Sequence, residues 1–201
     1  MFKIAVFVSG RGSNLKAIFD VGLTANIQIC AVVSDKIECG AVEFANMNGI
    51  PVFFAGKNDV EFFSYESLAL ELKKMNIDLI VLAGFLKKIP DNFIDEFENK
   101  IINIHPALLP SFGGKGMYGL NVHKAVYESS AKVSGATVHF VDKIYDHGKI
   151  IAQRTVDISD VKGPEEIAER VLRIEHEILP FVVVKFAEQK ILVDGNRVTI
   201  L

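Results

Sequence analysis

The chain has 201 residues, 50% of them hydrophobic and 23% charged, a length and balance that suit one domain with a buried core better than two. Its 22 basic and 25 acidic residues leave a net charge of -3, which offers no general attraction to a polyphosphate backbone and favours small molecules over nucleic acid. No apolar run approaches the ~20 residues of a membrane helix. The opening Met1-Phe2-Lys3-Ile4-Ala5-Val6 leads directly into strand-like sequence, so a cytoplasmic protein without a cleaved signal is expected. Cys30 and Cys39 fit no metal-ligand spacing and no disulfide framework, and both are expected to pack as small apolar side chains.

In chain order, the pattern predicts a strand at 3–8, a helix at 14–21, a strand at 27–33, a helix at 41–48, a strand at 52–54, a helix at 62–75 and a strand at 79–83. Alternation of this kind predicts βαβ units and a parallel sheet. Nearly continuous apolar runs such as Ile4-Ala5-Val6-Phe7-Val8 predict helices on both of its faces. A strand at 101–104 precedes an irregular, glycine-rich stretch at 106–119, then a helix at 121–129 and strands at 136–141 and 150–156; a loop of that length is usually functional. Pro164, Glu165 and Glu166 mark a helix start, Pro180 is expected to kink or interrupt that helix, and Asp194-Gly195 predicts a terminal hairpin. The expected fold is α/β: a Rossmann-like, open, mainly parallel twisted sheet with helices on both faces and a C-terminal hairpin.

Ser9-Gly10-Arg11-Gly12-Ser13-Asn14 falls between the first strand and the first helix, where free backbone N–H groups and the positive helix end favour an anion, usually phosphate. A dinucleotide site is the rival reading, with Asp35 about twenty residues further on as the ribose ligand. Leu15 weighs against it, because that fingerprint needs a glycine or alanine there for close helix–strand approach. A tight turn with a capped helix would account for the same residues without any ligand.

Asn103-Ile104-His105-Pro106 ends the fifth strand. Residues at i and i+2 of a strand share a face, and Pro106 keeps His105 extended. A neutral donor beside an imidazole at the carboxyl edge of a parallel sheet is where open α/β proteins bind and transform ligands. Asp146, in Tyr145-Asp146-His147-Gly148, is the natural third member, since a carboxylate favours the protonated imidazole. His139 either lines the same cleft or fills a polar core position, while His123, His147 and His176 are assigned surface or structural roles. No closely spaced ligand pair suggests a metal, and none is expected.

Together, Ser9-Gly10-Arg11-Gly12-Ser13-Asn14-Leu15, Leu82-Ala83-Gly84-Phe85, Asn103-Ile104-His105-Pro106-Ala107-Leu108-Leu109-Pro110, Gly135-Ala136-Thr137-Val138-His139-Phe140-Val141 and Glu175-His176 resemble, in this order and over essentially the whole chain, the folate-dependent formyltransferases, in particular those acting on glycinamide ribonucleotide. The resemblance implies formyl transfer from 10-formyltetrahydrofolate to the glycinamide amine in de novo purine synthesis, by a single formyltransferase domain spanning 1–201, with a phosphate-binding half (1–100) and a catalytic, folate-closing half (101–201). It also implies catalytic roles for Asn103, His105, Asp146 and His139. Gly12, Ser13, Asn14 and Glu175, with Leu172, Arg173 and Ile174 beside it, would bind the ribonucleotide. Leu86, Lys87, Lys88, Ile89, Asn103, Asp142, Lys143, Ile144, Tyr145 and Asp146 would bind the folate. Bacterial members often carry an arginine near the position of Phe62, whereas no arginine stands here between Arg11 and Arg154; Lys57, Lys87 and Lys88 are the substitutes for holding the folate's glutamate tail. Asp146-His147-Gly148-Lys149 also departs from the commoner Asp-x-Gly-Pro. The expected partners are these two small molecules and, as an assembly, a homodimer, without nucleic acid or membrane. The competing readings are a formyltetrahydrofolate hydrolase and a nucleotide-binding, dehydrogenase-like module.

Overall fold

A computed structural model describes residues 1–56 and 62–201. The chain divides into two compact units, Met1–Asn103 and Ile104–Leu201. In the first, β1 (Phe2–Val8), α1 (Ser13–Gly22), β2 (Ile27–Ser34), α2 (Gly40–Met47), β3 (Val52–Phe54), α3 (Tyr65–Lys74) and β4 (Leu79–Leu82) alternate much as the apolar pattern predicts, followed by α4 (Asp91–Glu96) and β5 (Ile101–His105), whose last two residues fall in the second unit. β1 pairs in parallel with both β2 and β4, β2 with β3, and β4 with β5. Ile4 to Val8 and Leu79 to Val81 are wholly or almost wholly buried, as expected of parallel strands covered on both sides. Two elements differ from expectation. The helix foreseen at 62–75 begins only at Tyr65, because Ser64 caps it by accepting from Ser67 N–H while Phe63 bridges to Ala55. α4 has six residues, too few to show a helical period.

The second unit contains α5 (Leu120–Glu128), β6 (Val133–Phe140), β7 (Ile150–Asp157), α6 (Pro164–Ala187) and the antiparallel hairpin β8 (Ile191–Asp194)–β9 (Arg197–Ile200). β6 and β7 pair antiparallel, with a register shift at Val138/His139. The strand order of the sheet is β3-β2-β1-β4-β5-β6-β7, so the mainly parallel α/β architecture and the terminal hairpin are both present. Pro180 does not interrupt α6, which continues through it for 24 residues. Ile178, Leu179, Val182 and Val183 around it are buried, and α6 packs on β6, β7 and α5. Tertiary packing of that face outweighs the hydrogen bond that a proline removes. Cys30 and Cys39 are half-buried free thiols rather than core residues, and burial pushes the Cys30 thiol up.

Candidate active site

In the first unit the glycine loop is shaped by close backbone contacts. Gly12 has φ 76, and a Cβ there would stand 2.8 Å from Ala41; only glycine fits. Ala41 N–H donates to Gly10 O at 3.1 Å. The N-cap of α1, Gly12, has no side chain to cap it, and no acidic residue lies in the first turn, so no carboxylate there offsets the positive helix end. Leu15 is fully buried in the core, which fits the sequence argument against a dinucleotide. Asp35 is buried as well, and its Oδ1 has no hydrogen-bond partner, a poor position for a ribose ligand. Leu86, Lys87 and Lys88 are exposed and Ile89 is buried. Lys88 Nζ pairs with Asp91 Oδ1 at 3.1 Å. Lys57 lies outside the described residues.

In the second unit three of the expected residues converge. Asp146 Oδ2 lies 3.6 Å from His105 Nδ1, and its Oδ1 lies 3.7 Å from His139 Nε2; these are ion-pair rather than hydrogen-bond distances. Gly114 N–H donates to Oδ2 at 2.8 Å. On their far sides, His105 Nε2 faces Phe112 O at 2.9 Å and His139 Nδ1 faces Phe140 O at 2.8 Å. Each ring therefore meets an acceptor at both nitrogens, and either can donate on both sides only as the imidazolium. Both histidines are at most 3% exposed. Burial holds His139 below the usual imidazole range, partly opposed by Phe140 O and the Asp146 carboxylate.

Local sequence explains this convergence. Thr137, two residues before His139 on β6, donates to Ala107 O and accepts from Leu109 N–H. Gln153 on β7 donates to Leu109 O and to Thr137 Oγ. Together they tie the segment after His105 to the strand bearing His139, and the β6–β7 register shifts at Val138/His139, the kind of irregularity that favours functional positions. Asp146 has φ 54, a left-handed conformation that non-glycine residues seldom adopt. Gly113 leaves room beside it: a Cβ there would lie 2.5 Å from Leu109 Cδ2 and 3.1 Å from Asp146 Cβ.

Asn103 stands two residues before His105 on β5 and is half-buried. In the 142–147 loop, Ile144 N–H donates to Asp142 Oδ1 and His147 Nδ1 bonds Asp142 Oδ2, which leaves Lys143, Ile144 and Tyr145 exposed. On α6, Leu172 and Glu175 share a helix face; Glu175 is buried, Ile174 is half-buried and Arg173 is exposed. The sequence reading missed His123. It is buried on α5, its Nδ1 lacks a hydrogen-bond partner, and burial together with the charge of His105 depresses it to about 4. Only its place on the apolar face with Val122 and Val126 hinted at burial, and nothing in the sequence hinted at its nearness to His105. His147 is exposed and His176 half-buried. Among the described residues no group of three or more His, Cys, Asp or Glu side chains is arranged to hold a metal, and no helix is long and apolar enough to cross a membrane.

The mainly parallel α/β sheet places the chain in the doubly wound class. The family model for formyl transferase matches residues 2–183, and the chain belongs to the formyl transferase family. Among its relatives, the chloroplastic phosphoribosylglycinamide formyltransferase of Vigna unguiculata is 46% identical over 193 residues, covering 94% of this chain and 62% of that protein. Phosphoribosylglycinamide formyltransferase of Haemophilus influenzae is 34% identical over 200 residues, covering 98% and 92%. The crystal structure of phosphoribosylglycinamide formyltransferase from Anaplasma phagocytophilum superposes with a TM-score of 0.89 at 34% identity, covering 99% of this chain and 94% of that one. The chain spans about two thirds of the length of the plant relatives.

Proposed function

We propose that the chain transfers the formyl group of 10-formyltetrahydrofolate to the amine of glycinamide ribonucleotide, giving formylglycinamide ribonucleotide and tetrahydrofolate in de novo purine synthesis. The observation that carries this reading is the convergence of His105 and His139 on the Asp146 carboxylate in a member of the formyl transferase family. The amine, with a pKa of about 8, is in useful part unprotonated at neutral pH, so no covalent enzyme intermediate is needed. The demanding step is attack on the formyl carbon. The carbon–nitrogen bond to the amine forms as the carbonyl oxygen takes up negative charge, and the bond to the folate nitrogen then breaks as the amine's proton moves to that nitrogen. On this reading Asn103 donates to the developing oxyanion, and His105 does so by exchanging Phe112 O for it at Nε2; Asp146 orients His105 from the Nδ1 side and assists the proton's passage, and His139 supports Asp146 from its other oxygen.

Gly12, Ser13 and Asn14 are assigned the phosphate, and Glu175, with Leu172, Arg173 and Ile174, the remainder of the ribonucleotide. Leu86, Lys87, Lys88 and Ile89, together with Asp142, Lys143, Ile144, Tyr145, Asp146 and Asn103, are assigned the folate. A cytoplasmic location and a homodimer accompany this reading as expectations of the sequence.

The test is an assay of glycinamide ribonucleotide with 10-formyltetrahydrofolate that follows tetrahydrofolate release and the mass of the nucleotide. A formylated nucleotide formed only with both substrates present is the expected result. Folate deformylation without the nucleotide would replace this reading with a hydrolase.

A further inference from the structure

Within the first unit, one buried hydroxyl joins the two loops just assigned to different substrates. Ser9, the first residue of the glycine loop after β1, is 2% exposed, and its Oγ accepts a 2.8 Å hydrogen bond from the backbone N–H of Leu86, 77 positions away. Serine side chains more often bond backbone within a few residues and serve as local caps. Here the partner is the first residue of the folate-assigned segment. Both loops are otherwise held firmly. The glycine loop is fixed at Ala41, through the bond from Ala41 N–H to Gly10 O and the absence of a Cβ at Gly12. The Leu86 segment is fixed by Ala83 N–H donating to Phe7 O at 2.8 Å, by Phe85 set edgewise on Phe7 at 5.4 Å, and by buried Ile89. The Ser9–Leu86 bond is thus a direct tie between two segments that are each anchored to the core elsewhere.

We propose that Ser9 is a positioning residue that couples the two substrates: an anion held at Gly12, Ser13 and Asn14 fixes Ser9, and Ser9 in turn sets the backbone at Leu86 for the folate. This inference rests on the assignment of those two loops under the proposed function. A coupling free energy is reciprocal, so each ligand must tighten the other by the same factor, and it exists only if the ligand distinguishes two arrangements of the loops.

The test uses the intact protein with glycinamide ribonucleotide and tetrahydrofolate, a pair that cannot react because no formyl group is present. Calorimetric titration of each ligand, alone and against a saturating amount of the other, should give one common tightening factor of about 5- to 20-fold, within the usual range of such couplings. Ser9→Ala should bring that factor to within about twofold of unity while each ligand alone still binds, and Ser9→Thr, which keeps the hydroxyl, should restore it. Amide hydrogen exchange at Leu86 supplies a second reading: in the unaltered protein it should slow further when ribose 5-phosphate is bound. If the unaltered protein binds neither ligand, the functional assignment itself falls. If both bind but independently, if Ser9→Ala keeps the full factor, or if the Leu86 exchange ignores the phosphate ligand, the coupling role of Ser9 falls and the assignment stands. Should Ser9→Ala fail to fold, Ser9→Thr and the Leu86 exchange decide the question.

Discussion

Asp146 receives three neighbours on two oxygens: His105 and Gly114 N–H at Oδ2, and His139 at Oδ1. Its left-handed backbone costs on the order of 1–3 kcal/mol, the kind of strain that persists where surrounding contacts over-determine a functional residue. Under the proposed function Asp146→Asn and His105→Ala should each cut turnover by about 10²-fold or more with little change in substrate affinity, because the roles proposed for them act mainly in the transition state; steady-state kinetics and ligand titration check this, and near-normal turnover removes the residue from the chemistry. His123 sets an acid limit on stability. Its folded value is depressed to about 4 from the ordinary imidazole value of about 6.5, so between those values the unfolded chain binds the extra proton and stability rises with pH. The contribution is complete above about pH 6.5 and is lost as the pH falls toward 4. Melting temperatures measured across that window should decline on acidification, and His123→Gln should flatten the decline. Asn103-Ile104-His105-Pro106 could be read as a reactive strand end because its spacing is local. The place of His123 could not, since only the folded second unit brings α5 near His105.

At the level of elements, the apolar period made β1, β2, β4 and α1 legible to within two residues. The pattern was silent on α4, which is shorter than two helical turns, and misleading at Pro180, where packing of the α6 face overrides a local preference. Gly135 shows what a sequence cannot reveal about strand pairing. A Cβ there would lie 2.0 Å from Arg154 O and 2.8 Å from Leu108 Cδ2, so the close approach of β6 and β7 needs the bare α-carbon. Gly135→Ala should cost about 1–3 kcal/mol or more, as overpacking typically does, and should lower the melting temperature by about 2–4 °C for each kcal/mol in a chain of this size. It should also reduce turnover, because β6 carries Thr137 and His139. A melting temperature unchanged by the substitution would mean that the two strands separate there more easily than their backbone spacing implies.

For the whole molecule, composition set the class of partner while sequence motifs set its chemistry. A net charge of -3 gives no broad field to draw in anionic ligands, so the phosphate recognition proposed for the glycine loop would have to be local. Glycinamide ribonucleotide at a hundred times its Kd should stabilise the folded protein by about 2.7 kcal/mol, a rise of about 5–11 °C in melting temperature. NAD at the same concentration should produce none; a comparable rise with NAD would favour the nucleotide-binding module over the formyl transfer reading.

The two ends of the strand order also bear on how the protein behaves at high concentration. An open sheet exposes unpaired backbone at its outermost strands, where another chain can add and begin fibrillar or amorphous association. Here β3 has only three residues, too short a template for a stable intermolecular ladder. β7 is longer but bears Gln153, Arg154, Thr155 and Asp157 on largely exposed positions and has β9 of the terminal hairpin against it. If that contact shields the β7 edge, removing β8 and β9 should show first as a loss of colloidal solubility rather than as a loss of chemistry.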